Sequence, residues 1–125
     1  MTTVRDVMTT DLVVVGPAAT VMEAASTMFA RRAGSALVMD GDRLVGIFTE
    51  RDILESLSGT SDIGRSSLVR HRMTSDPQVI EPDATAGQAL DRMLTGGFRH
   101  LPVVEGDRVI GMVSMRDLAA AISRP

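Results

Sequence analysis

The chain has 125 residues, a net charge of −3 and no cysteine. It is long enough for a globular domain, but it has no disulfide framework, thiolate catalyst or thiolate metal site. Acidic residues outnumber basic ones, and three phenylalanines stand without Trp or Tyr, so duplex and single-stranded nucleic acid are both poor partners. All thirteen basic residues are arginine, which excludes Schiff-base and P-loop lysine chemistry and leaves guanidinium forks that suit phosphate.

Residues 4–8 form a short opening segment, followed by the polar step Thr9-Thr10-Asp11. Leu12 and the three β-branched valines after it predict a short strand over residues 12–15, which Gly16-Pro17 ends. Thr20-x-x-Glu23 is a capping-box pattern at a helix start. Val21, Ala24, Ala25, Met28 and Phe29 then fall on one apolar stripe, and Gly34 is expected to stop that helix. Residues 36–39 and 43–48 predict a hairpin around Asp40-Gly41-Asp42. Thr49 opens a second helix that places Ile53, Leu54 and Leu57 on one face. Residues 58–67 are rich in Ser and Gly and read as a mobile linker.

The remainder repeats the first part. Residues 4–54 lie over residues 69–119 without a gap, and roughly 18 of about 51 positions are identical. Met8-Thr9-x-Asp11 meets Met73-Thr74-x-Asp76, and Gly41-Asp42-Arg43-x-x-Gly46 meets Gly106-Asp107-Arg108-x-x-Gly111. Thr85-x-x-Gln88 is again a capping box, with Ala86, Ala89, Leu90, Met93 and Leu94 as its stripe. The fold class is therefore α/β (α+β): two tandem β-α-β-β-α repeats related by a pseudo-twofold axis. The boundaries are 1–58 for the first repeat, 59–68 for the linker and 69–123 for the second. A repeat of about 50 residues is marginal alone, so the two are expected to share one core.

Two stretches stand out as site candidates. In each, a strand ends in Ser or Thr and an aspartate follows three residues on: Thr49-Glu50-Arg51-Asp52 and Ser114-Met115-Arg116-Asp117. The plain structural reading makes Thr49 and Ser114 N-caps, with Asp52 and Asp117 favoured by the helix dipole. The functional reading uses the same geometry. Free amides and a hydroxyl can hold phosphate, the aspartate can accept ribose hydroxyls, and Arg51 and Arg116 add charge where phosphates extend. An N-cap can also touch a ligand.

The tandem repeat, the Met-Thr openings and the paired G-h-h-[ST]-x-x-D endings resemble a CBS domain pair, also called a Bateman module, over nearly the whole chain. Phe98-Arg99-His100-Leu101-Pro102-Val103-Val104 is similar to that family's usual second strand. The resemblance implies a non-catalytic regulatory module with no required cofactor. It would bind AMP, ADP, ATP or S-adenosylmethionine in clefts between the repeats and signal occupancy to a regulated protein. Asp52 and Asp117 would hold ribose hydroxyls, with Thr49 and Ser114 near ribose or phosphate. Segments 10–13 and 75–79, including Thr10, Leu12, Ser75, Pro77 and Val79, would present backbone to adenine. Arg99 and His100 would favour phosphate. In the first repeat Gly34-Ser35 stands where Arg99-His100 stands in the second, so the two clefts are expected to be unequal. The family's habit of pairing modules implies a homodimer.

Two other classes compete with the sensor. An enzyme would need covalent or acid–base groups, and the chain lacks Cys, Lys, Tyr and a glycine-elbow serine. A protein-interaction module with empty clefts is the remaining alternative. His71 reads as a surface residue, and two histidines far apart do not make a metal site. The nine methionines read as core filler, and Arg31-Arg32 as a solvated helix end. No apolar run approaches the roughly 18 residues of a membrane span, and neither a signal peptide nor an attached effector domain is expected. A cytoplasmic protein without a membrane partner is expected.

Overall fold

A computed structural model describes residues 1–58 and 63–122. The chain divides into two compact units whose limits differ from those of the sequence repeats. One unit contains residues 1–12 and 78–125; the other contains residues 13–77. Each repeat therefore gives its opening segment to the unit built from the body of the other repeat.

The unit of residues 13–77 carries a four-stranded sheet. Its strands are β1 (Val14–Val15), β2 (Ser35–Asp40), β3 (Arg43–Thr49) and β4 (Thr74–Ser75), side by side in that order. β1 is parallel to β2, whereas β2–β3 and β3–β4 are antiparallel. Gly41 turns the β2–β3 hairpin at φ +62°, a conformation costly for a side-chain-bearing residue. Helices α2 (Val21–Arg31) and α3 (Glu50–Leu57) accompany the sheet. Phe48, Met28, Val21, Val38 and Val69 fill the core of this unit.

The other unit repeats the plan with α1 (Val4–Val7), α5 (Ala86–Gly96), the hairpin β5 (His100–Glu105) and β6 (Arg108–Ser114), and α6 (Met115–Ile122). Ile80 bridges Val103 in parallel, as Val15 does Val38, and Thr9 bridges Met112 in antiparallel, as Thr74 does Ile47. Its core gathers Val4, Ile80, Met93, Leu101, Val103, Val113 and Leu118. Each unit gathers a buried cluster of its own, and the exchanged segment supplies part of it.

The exchanged segments are held in the same way. Val4 N donates to Ala84 O at 2.8 Å and Arg5 N to Pro82 O at 3.0 Å. In the other unit Val69 N donates to Ala19 O at 2.8 Å and Arg70 N to Pro17 O at 3.0 Å. Met8 and Met73 then lie over Gly111 and Gly46 so closely that a Cβ at either glycine would displace the methionine side chain. Glycine is favoured there by close approach rather than by a turn.

All four capping sites form. Thr20 Oγ1 accepts from Glu23 N and Thr85 Oγ1 from Gln88 N, each reciprocated to the cap amide. Thr49 and Ser114 do the same with Asp52 and Asp117.

Four expectations are corrected. Gly34 does not stop α2; Arg32 does, in the left-handed region at φ 54°. Gly97 occupies the equivalent position after α5 at φ 75°. The apolar stripes are narrower than the sequence suggests, with Phe29 86% and Leu94 64% exposed. On α3 only Ile53 packs on the core, while Leu54 and Leu57 are exposed. Within the expected linker, residues 59–62 lie outside the described residues, but Ile63–Ser66 forms α4. Gly64 is seated so closely that a Cβ would collide with the Ser56 carbonyl.

The left-handed Arg32 is strained where Gly97 is not, because a Cβ disfavours that conformation by roughly 1–2 kcal/mol. Arg32→Gly is expected to stabilise the protein by about 0.5–1 kcal/mol, part of the relief being offset by the freer unfolded glycine. Urea unfolding checks this, and an unchanged or lowered midpoint would contradict it.

Candidate functional site

Each unit has one junction where a hairpin strand turns directly into a helix. Thr49 ends β3 with φ −125° and caps α3. Its backbone amide donates to Asp52 Oδ2 at 2.8 Å and its hydroxyl lies 3.2 Å from the same oxygen, while Asp52 N donates back to Thr49 Oγ1 at 3.3 Å. Ser114 ends β6 alike: its amide donates to Asp117 Oδ2 at 3.1 Å, and Asp117 N donates to Ser114 Oγ at 3.0 Å. Both aspartates are partly buried. Each commits one carboxylate oxygen, Oδ2, to its cap, so the second oxygen can accept from a ligand hydroxyl.

The strand register completes each junction. Ser35 stands opposite Thr49 and His100 opposite Ser114. The residue before each is tied to the helix start: Glu50 N donates to Gly34 O at 3.1 Å, and Met115 N donates to Arg99 O at 2.8 Å. Arg99 and His100 are thus brought to the first turn of α6 with Ser114, Arg116 and Asp117. Arg99 and Arg116 are exposed, whereas His100 and Ser114 are partly buried.

The opening segments run beside the strands that carry the caps. Ser75 pairs with Gly46, three residues before Thr49, with Pro77 just beyond. Thr9 bridges Met112, two residues before Ser114, which brings Thr10 beside β6, and Leu12 belongs to the same unit. Val79 belongs to that unit as well and is 39% exposed. The structure therefore sorts the candidates into two sets. Thr49, Arg51, Asp52, Ser75 and Pro77 share one unit; Thr10, Leu12, Val79, Arg99, His100, Ser114, Arg116 and Asp117 share the other.

Two contributors escape a search for motifs. Glu55 holds Arg51 at 3.3 Å between Nε and Oε1, so that guanidinium is less available to an anion. The carbonyl of Gly34 accepts the first amide of α3. The repeat alignment held the signal for Glu55, because its counterpart in the second repeat is Ala120. Among the described residues no group of His, Asp and Glu could hold a metal ion, and no helix is long and apolar enough to cross a membrane.

Burial pushes the Asp52 carboxyl above the ordinary aspartate value of 3.8, and hydrogen bonds from Thr49 only partly counter it. A folded-state pKa raised above the unfolded one means that ionised Asp52 opposes folding at neutral pH. This penalty is relieved as pH falls through the raised value and is gone below 3.8. Asp52→Asn keeps an acceptor for the cap and removes the titration. Its stability advantage over wild type is expected at neutral pH and to vanish on acidification through that window. Urea midpoints at several pH values check this; an advantage that grows on acidification would contradict it.

Comparison with known proteins is consistent with this duplicated plan. The CBS domain model matches residues 4–59 and again residues 67–124. A 17.7 kDa protein from the bps2 3′ region of Acidianus ambivalens is 43% identical over 123 residues, which is 97% of this chain and 73% of that protein. Longer relatives are matched over only 15% and 23% of their own length. Among solved structures, a CBS-domain containing protein of Agrobacterium tumefaciens superposes with a TM-score of 0.91 at 34% identity, covering 97% of this chain and 93% of that one. CBSX2, solved in complex with AMP, gives a TM-score of 0.84 at 28% identity, covering 99% of this chain and 100% of that one. Two matched copies spanning nearly the whole sequence leave one assignment: the chain belongs to the CBS-domain family and carries a tandem pair of its repeats.

Proposed function

We propose that the chain is a regulatory module without catalysis of its own. It binds an adenosine-containing ligand at the strand–helix junctions and reports occupancy to a protein partner. The observation that carries this reading is the doubled cap, Thr49–Asp52 and Ser114–Asp117, in which each carboxylate keeps one oxygen for ligand hydroxyls. The AMP bound to CBSX2, a structure similar to this chain, supports adenosine as the common element. Asp52 and Asp117 would accept the ribose hydroxyls, while the backbone at Thr10, Leu12, Ser75, Pro77 and Val79 would read the adenine edge. A ligand that stiffens a junction shifts the population of conformations a partner meets, which suffices for regulation without chemistry.

The test is thermal unfolding, followed by circular dichroism, with AMP, ADP, ATP and S-adenosylmethionine. At 100 times its dissociation constant a ligand should stabilise the fold by about 2.7 kcal/mol. Asp52→Ala or Asp117→Ala should abolish the shift at its own junction. Folded protein that no adenosine compound stabilises would sink this reading and favour a module that only docks proteins.

One observation favours a docking face in addition. Phe29 on α2 and Leu94 on α5 occupy equivalent positions and are both largely exposed. Exposed large apolar side chains at the same place in both repeats suit burial against a second copy, so a homodimer is expected in the cytoplasm. Phe29→Glu with Leu94→Glu should halve the mass measured by light scattering. A mass the two substitutions leave unchanged would show that these side chains do not hold the copies together.

A further inference from the structure

The two junctions share a backbone but carry opposite charge. Around Thr49 the first helical turns of α3 hold Glu50, Asp52 and Glu55 against a single cation, Arg51. That cation is engaged by Glu55 at 3.3 Å. The two residues at the start of β2 that complete this junction, Gly34 and Ser35, are uncharged. Around Ser114 the equivalent positions are Met115, Asp117 and Ala120, so one carboxylate remains where α3 has three. Arg116 has no carboxylate one turn ahead of it, and Arg99 with His100 stands where Gly34 and Ser35 stand in the other unit.

Backbone equivalence makes this comparison one of chemistry rather than of placement. The carbonyls of Gly34 and Arg99 accept the same helix-start amide, at 3.1 and 2.8 Å. Ser35 and His100 face the same cap in the strand register. Only the side chains differ.

We infer that the junctions sort their ligands by charge. The Ser114–Asp117 junction takes adenosine bearing a 5′-phosphate chain, and the Thr49–Asp52 junction takes an adenosine derivative with no 5′-phosphate. This inference rests on the reading of the junctions as adenosine sites. Two guanidiniums with one carboxylate supply the planar donors a phosphate needs. Three carboxylates within about a Debye length of a bound phosphate, roughly 8–10 Å at ordinary salt, repel it. Like-charge juxtaposition of this kind is how binding sites reject the wrong ligand. The ribose-binding aspartate is common to both junctions, so adenosine recognition and phosphate selection are carried by different residues.

The experiment is isothermal titration of ATP and of adenosine into wild type, Asp52→Ala, Asp117→Ala and Arg99→Gly. A further variant combines Gly34→Arg, Glu50→Met and Glu55→Ala, and circular dichroism confirms that each protein is folded. ATP affinity is expected to fall at least about tenfold in Asp117→Ala and in Arg99→Gly, a loss of about 1.4 kcal/mol, and to be unmoved by Asp52→Ala. Adenosine binding should weaken in Asp52→Ala and be unmoved by Arg99→Gly. The triple variant should gain a second ATP site that depends on Asp52. ATP binding that weakens equally in both aspartate variants would overturn the sorting while leaving the adenosine reading intact. Binding of neither compound to folded protein would overturn both.

Discussion

Phe48→Ala is expected to cost about 3–5 kcal/mol, since a fully buried aromatic leaves both its transfer free energy and a cavity behind. Phe48 is 0% exposed and is the bulkiest side chain in the core of its unit. It also immediately precedes Thr49, so a cavity there loosens the strand end from which the α3 cap is built. The second repeat places its aromatic side chain elsewhere: Val113 stands at the position of Phe48 and Phe98 at that of Ala33. Phe98 lies in the link between α5 and β5, with its ring so close over Gly96 that a Cβ there would collide with it. Arg31 stands at the Gly96 position of the first repeat, so Ala33→Phe lacks that seat and is expected not to rescue Phe48→Val. A double-mutant cycle by urea unfolding checks this; a favourable coupling of roughly 1 kcal/mol or more would show that position 33 reaches the volume of Phe48.

The local features were legible in the sequence because they depend on short spacings. Four Ser/Thr caps, two glycine-turned hairpins at Gly41 and Gly106, and the start of every long helix follow from neighbours within four residues. The family resemblance was legible because the same motifs occur twice. What could not be read depends on pairing across long separations. Nothing within residues 1–12 announces that Val4 packs with Leu118 rather than with the strands that follow it. The exchange of opening segments between the units was hidden for that reason.

Other misreadings have local causes. Gly34 looked like the helix stop because glycine is the usual left-handed residue, but α2 ends two residues earlier at the cost of a strained Arg32. Phe29 and Leu94 extended the apolar stripes because helical spacing cannot distinguish a side chain that faces the core from one at the edge of it. At the candidate site the paired aspartates were visible as a motif. The part of the charge difference carried by Arg99-His100 against Gly34-Ser35 was visible in the repeat alignment, whereas the part carried by Glu50 and Glu55 was overlooked because neither residue defines the motif.

The exchange of opening segments leads to the second large effect. Deleting residues 1–10 should destabilise the second repeat's unit by at least about 3 kcal/mol while leaving the other unit's core complete. Val4 alone is fully buried, and losing such a side chain forfeits roughly 1.5–3 kcal/mol of burial. Val7 and Met8 pack on the same core. The deletion also removes backbone hydrogen bonds to Ala84, Pro82, Met112 and from Ala86, each worth about 0.5–1.5 kcal/mol net. Hydrogen exchange separates the two units: amides of β5 and β6 should lose protection first, with those of β2 and β3 the more persistent. By the same argument residues 69–125 expressed alone would lack the segment that closes their core, and a fragment joining residues 1–12 to residues 78–125 would have it. Unchanged protection of β5 and β6 after the deletion would mean that the first repeat's opening segment is not part of that core. The Ser114–Asp117 junction would then owe nothing to Thr9 and Thr10, although Thr9 bridges the strand that carries it. Loss of protection together with loss of ATP binding would instead tie that junction to a segment more than a hundred residues away in sequence.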